Sequence, residues 1–114
     1  MATECLFCRI VAGEIPVKRI YEDELCLCFA DINPQASTHL LVVPKRHIAS
    51  HAHTTIEDAD LLGHLMAAAG GIARQQNLDR GYRLVMNTGA DGGQSVDHIH
   101  LHLLGGRPMR WPPG

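Results

Sequence analysis

The chain has 114 residues, 46% of them hydrophobic, with ten basic against twelve acidic side chains and a formal net charge of −2. That length fits one domain, residues 1–114, with a buried core. A near-neutral charge without a basic block, and only five aromatic residues (one Trp, two Tyr, two Phe), argue against a surface that neutralises or stacks on nucleic acid. Met1–Ile10 has neither the basic region nor the apolar run of a secretory leader, and no stretch reaches transmembrane length. A cytoplasmic protein is expected, so the four cysteines read as thiols or metal ligands rather than disulfides.

In chain order, residues 4–12 predict a short helix ended by Gly13 and Pro16. Val17–Tyr21 and Leu25–Ala30 are strand-like around a Glu22-Asp23-Glu24 turn, and Asp31-Ile32-Asn33-Pro34 forms a second turn. Thr38–Val43 is a β-rich run stopped by Pro44. Thr54-Thr55-Ile56-Glu57 matches a capping box with Thr54 as N-cap. Leu61, Leu62, Leu65, Met66, Ala69 and Ile72 then recur at helical spacing, and Asn77 and Gly81 bracket the end. Tyr82–Asn87 predicts a strand, Thr88–Gln94 a Gly-rich loop, and Val96–Leu104 a last strand, before a proline-rich tail. Short connections favour antiparallel pairing, so the expected class is α+β: a five-stranded antiparallel sheet with one long and one short helix.

The last strand carries His98-Ile99-His100-Leu101-His102. Side chains alternate along a strand, so the three histidines share one face while Ile99, Leu101 and Leu103 turn to a core. Three surface histidines, a catalytic metal site and nucleophilic chemistry on a phosphate are the competing readings. The preceding Asn87–Ser95 segment, with Gly89, Gly92 and Gly93, favours the last. Glycines let backbone N–H groups approach an anion, and Gln94 and Ser95 add side-chain donors. A neutral imidazole is a competent nucleophile near pH 7, and a neighbouring imidazolium stabilises phosphoryl charge.

His98–Leu104 resembles the His-φ-His-φ-His-φ-φ motif of the histidine triad (HIT) family, where φ is hydrophobic. Asp31–Ala36, Thr38-His39, Pro44-Lys45, Gly92–Ser95, Gly105–Arg107 and Trp111–Gly114 resemble its Hint branch, so the likeness covers nearly the whole chain. The resemblance implies a purine nucleotide-binding hydrolase that cleaves nucleoside 5′-phosphoramidates through a covalent nucleotidyl-imidazole. His100 would be the nucleophile, His102 the phosphate contact, His39 a partner in proton handling, and Ser95 a donor to the phosphate or leaving group. A P–N leaving group departs readily once protonated, which suits a general acid. Asp31 would bind the ribose hydroxyls, although from the residues alone a turn-capping Asp fits as well. Phe7, Ile10, Phe29, Ile32 and Leu41 would line an apolar slot for the base, or be plain core. Asn87, Gly93 and Gln94 would meet the phosphate end. Catalysis would need no cofactor.

Cys5-Leu6-Phe7-Cys8 lacks the strand–helix setting of a redox motif. Two nitrogen ligands, with His47 and His98 as candidates, would complete a tetrahedral Cys₂His₂ site. Similar bacterial members hold a structural zinc in this way; reduced thiols packed in the first helix are the alternative. Residues two apart on a strand lie about 6.6 Å apart, so His98 can hold metal while His100 faces substrate. Cys26 and Cys28 read as small packed side chains, and His51, His53 and His64 as surface residues. The resemblance also implies a homodimer, paired through the long helix and a strand edge, with the Trp111 segment reaching the partner. Three other functions remain open: a nucleotide-binding scaffold with little turnover, a dinucleoside polyphosphate hydrolase, and a metallohydrolase using all three histidines.

Overall fold

The computed structural model describes residues 4–114, so Met1–Thr3 and the start of the Met1–Ile10 reading lie outside the described residues. Helix α1 is Leu6–Val11; strands β1 (Tyr21–Glu22), β2 (Cys26–Ala30) and β3 (Thr38–Pro44) follow. Single 3₁₀ turns at His51–His53 and Ile56–Asp58 lead into α2 (Ala59–Gln75), and then come β4 (Tyr82–Val85), α3 (Gly89–Gly92) and β5 (Leu101–Gly105). All strand pairs are antiparallel, in the order β1-β2-β3-β5-β4. The α+β class and the five-stranded antiparallel sheet are as expected. Among the described residues no helix is long and apolar enough to cross a membrane.

The two faces of the sheet are dressed differently, and strand alternation decides how. Cys26, Cys28, Leu40, Val42, Leu101 and Leu103 turn to α2, whose Leu65, Ala69, Ile72 and Ala73 complete that core. Leu27, Phe29, Leu41 and Val43 turn to α1, meeting Phe7 and Ile10. Both Cys26 and Cys28 are fully buried, as their reading as packed side chains requires. Helix α2 ends where Asn77 adopts a left-handed φ of 61°.

Several boundaries differ from the sequence reading, each for a visible reason. The capping box sits one residue later, on Thr55 and Asp58, while the Thr54 hydroxyl donates to His51 O. Val17–Tyr21 pairs only at its end, because it runs past the C-terminus of α1, where the Arg19 guanidinium donates to Ile10 O at 3.0 Å. The Gly-rich segment closes into the single turn of α3, ended by Gly93 at φ 79°. Strand β5 starts at Leu101 rather than Val96. Extending its register with β3 would set Ile99 opposite Pro44, which has no N–H to give. Ile99 N–H donates instead to Ile48 O at 2.8 Å, and His98 N–H turns back to Val96 O.

Candidate active site and metal centre

The bend before β5 fixes the nucleophile candidate. His100 is 3% exposed, and its Nδ1 lies 2.8 Å from His98 O. A carbonyl only accepts, so Nδ1 carries the proton, and the neutral ring presents a lone pair at Nε2. The chain supplies Nε2 with no partner; among the described residues no buried side-chain nitrogen or oxygen lacks one, so Nε2 opens to the surface. Phe7 and His102 stand edge-on to the ring, at centroid separations of 5.1 and 5.0 Å.

A second chain of tautomers follows from the backbone. Gln35 N–H donates to His39 Nδ1 at 3.0 Å, which leaves the proton of a neutral His39 on Nε2. That nitrogen lies 2.8 Å from His102 Nδ1 and donates to it, so His102 holds its own proton on Nε2 as a free donor. The β3–β5 register makes this possible, since Leu41 faces His102 and His39 sits one same-face position along. Burial, then the neighbouring His100 and His39, push His102 down to about 4, so at neutral pH it is an uncharged donor. The charge-bearing imidazolium expected from sequence is therefore not this ring in its resting state. Asp31 Oδ1 accepts from Asn33 N–H at 2.9 Å, the turn-capping role, while Oδ2 lies 3.4 Å from His39 Nε2.

The other expected nucleotide contacts divide. Phe7, Ile10, Phe29 and Leu41 pack together at 4–6% exposure as core beneath the histidines, whereas Ile32 stands fully exposed on the Asp31 turn. Asn87 is half-buried, and Gly93 and Ser95 are exposed around α3. Gln94 is committed internally: its amide donates to Ala49 O and Val96 O, and its oxygen accepts from Gly89 N–H. It shapes the loop with groups that the sequence reading offered to phosphate.

Cys5, Cys8, His47 and His98 converge, with their ligand atoms all within 4.8 Å of one another. His98 Nδ1 lies 3.3 Å from Cys5 Sγ, 3.5 Å from Cys8 Sγ and 3.1 Å from His47 Nδ1. A tetrahedral zinc with ordinary bond lengths sets nitrogens about 3.3 Å apart and sulfur about 3.6 Å from nitrogen. The donor set fits. Its chemistry fits as well, because His98 Nε2–H donates to Pro44 O at 2.8 Å and so aims a bare Nδ1 lone pair at the cluster. Burial, with Cys5 beside it, pushes the Cys8 thiol up to about 11, an effect that a bound cation reverses. Burial likewise lowers His98, keeping it a neutral ligand.

One polar cluster escaped the sequence reading. Asp23 accepts from Tyr21 OH and His64 Nε2–H, both at 2.7 Å, and from the Leu25 and Cys26 amides. Burial would raise its carboxyl, but these donors outweigh that and hold it well below the usual range. His64 is thus a half-buried partner tying α2 to the β1–β2 turn, not a free surface residue. Its position on the helix gave no signal, because the pairing spans 41 residues.

The fold and site define a small α+β protein with a histidine cluster on one face of an antiparallel sheet. The chain belongs to the HIT domain family, whose model matches residues 12–109. It is 51% identical to an uncharacterized HIT-like protein of Synechococcus elongatus and 48% identical to another of Synechocystis sp., each alignment covering all of both chains. A HIT family hydrolase from Legionella pneumophila superposes at a TM-score of 0.95 with 52% identity, covering 97% of this chain and all of that one. A histidine triad protein from Clostridium difficile superposes at 0.90 with 41% identity, covering 94% of each chain.

Proposed function

We propose that the chain is a nucleoside phosphoramidase of the Hint type, acting on purine nucleoside 5′-phosphoramidates such as adenosine 5′-phosphoramidate. The observation that carries this reading is the His100 Nδ1–H bond to His98 O, which leaves Nε2 as an outward lone pair. Nε2 attacks the α-phosphorus and the P–N bond breaks as the leaving amine takes a proton from the Ser95 hydroxyl, which solvent reprotonates. The nucleotidyl-imidazole holds its positive charge against the His98 carbonyl through Nδ1–H. Water then attacks phosphorus, releases the monophosphate and restores the ring. His102 Nε2–H donates to a phosphoryl oxygen, and His39 behind it lets proton density shift along the pair as charge develops. Asp31 exchanges its contact with His39 for the ribose hydroxyls. Ser95, Asn87 and Gly93 meet the phosphate end, and Ile32 caps the base above the Phe7–Leu41 core. The Legionella neighbour's description as a hydrolase supports the hydrolytic direction.

Cys5, Cys8, His47 and His98 hold a structural zinc in this reading, a charge that fixes α1 to the body of the protein. A homodimer through α2 and the β4 edge belongs to the same proposal; Met66, Tyr82 and Trp111 are the large apolar side chains left exposed there and on the tail. So does the cytoplasm, whose reducing conditions suit four free cysteines. The test compares wild type and His100→Ala on adenosine and guanosine 5′-phosphoramidates and on dinucleoside polyphosphates. The phosphoramidates are expected to turn over fastest, with the variant slower by about 1000-fold or more. Equal slow rates would favour a nucleotide-binding scaffold, and faster cleavage of the polyphosphates would reassign the substrate.

A further inference from the structure

The metal cluster and the nucleophile are joined through His98 by two routes. His98 directs Nδ1 at the sulfurs and Nε2–H at Pro44 O, so its ring is pinned at both nitrogens and fully buried. The carbonyl of this same residue accepts the His100 Nδ1–H bond that selects the reactive tautomer. The second route is Phe7, which lies between Cys5 and Cys8 in sequence. Its ring is edge-on to His98 at 5.8 Å, to His100 at 5.1 Å and to Phe29 at 5.7 Å. It forms the wall against which the His100 imidazole rests. Helix α1 has six residues, too few to hold itself. Phe7, Ile10 and Val11 pack it on the sheet and Arg19 donates to its last carbonyls, while its N-terminal end is tied to His47 and His98 through the two cysteines.

From this we propose that the Cys5/Cys8/His47/His98 cluster is a positioning site for His100. Its metal holds α1 and the His98 carbonyl so that the nucleophile stays in one tautomer and one orientation. The inference rests on the zinc and nucleophile readings above, and assigns to Phe7 a positioning role distinct from base contact. A displacement of about 1 Å at a reacting group costs up to about 100-fold in rate, so loss of this support is felt in kcat.

The experiment uses the zinc-loaded full chain, labelled with ¹⁵N at histidine, before and after stripping with a chelator. Folding is checked by circular dichroism, and the solvent exchange of the His100 Nδ1–H proton is read by NMR. In the loaded protein this proton is expected to exchange slowly. Stripping should speed its exchange at least about tenfold and lower kcat for adenosine 5′-phosphoramidate about 10- to 100-fold with KM nearly unchanged, and added zinc should restore both. Phe7→Leu, which leaves the four ligands intact, should keep its zinc yet show the faster exchange; this variant carries the test if the stripped chain unfolds. Unaltered exchange in folded, stripped protein or in zinc-loaded Phe7→Leu overturns the coupling alone. Wild-type protein that takes up no zinc overturns the metal reading and the coupling with it. Slow exchange that is lost on stripping, in a protein without turnover, keeps the coupling and removes the phosphoramidase.

Discussion

His102 shows how a side chain's surroundings set what its identity leaves open. Burial first, and then His100 and His39, hold it at about 4, below the ordinary imidazole value of about 6.5. Above pH 6.5 both folded and unfolded chains carry it neutral, and it makes no pH-dependent contribution. As pH falls the unfolded chain binds the proton first, so stability drops until about pH 4, by on the order of 3 kcal/mol. His98, lowered by the same burial, adds to that slope. Denaturant midpoints measured from pH 7.5 to 4 (roughly the span of the two proton-binding equilibria) should fall steadily in wild type and less steeply in His102→Gln. An equal slope in both would show that His102 is not held neutral. Asp23, depressed by its four donors, contributes stability that is lost only at lower pH, as its carboxyl protonates. The histidine motif was legible because three alternating histidines are a rare pattern, even though only His102 lies on β5, and His39 was legible through the family resemblance. The tautomers were not, since they depend on His98 O and Gln35 N–H, backbone groups whose positions no side-chain pattern encodes.

Among the elements, periodic ones were the legible ones. Helix α2 follows from its apolar spacing, β2 from the alternation of Cys26 and Cys28 with their neighbours, and β3 from its β-rich run stopped at Pro44. The start of β5 was not legible because it depends on Pro44 standing opposite in the sheet, and α3 was hidden because a Gly-Ala-Asp-Gly turn has no period to detect. Gln94 braces that turn through three hydrogen bonds to Ala49, Val96 and Gly89. Gln94→Ala should cost about 1–3 kcal/mol in denaturant unfolding, since it leaves backbone groups unpaired. It should also raise KM, because Asn87 and Ser95 flank the braced segment. A neutral result would mean that water replaces the amide. At the other end of β5, Gly106 has φ 90°, and a Cβ there would clash with Ser37 Oγ. Gly106→Ala should destabilise by about 1–3 kcal/mol through left-handed backbone strain and displacement of Ser37, read as a lowered melting temperature.

At the scale of the molecule, one sheet separates two tasks. The α2 face is a packed apolar layer, and the α1 face carries the histidines with a Cys₂His₂ cluster at their edge. The C-x-x-C pair, His47 and His98 were readable as candidate ligands, and the fold brings His47 to the pair from 39 residues beyond Cys8. Zinc analysis should find roughly one equivalent per chain in wild type and a large loss in Cys5→Ser. In the proposed mechanism His100 forms a bond to phosphorus, and the stereochemical course of hydrolysis at an isotopically chiral α-phosphorus reads whether it does. Two in-line displacements through a nucleotidyl-His100 predict net retention of configuration. Net inversion would show that water attacks the substrate directly, with no nucleotidyl-His100 intermediate.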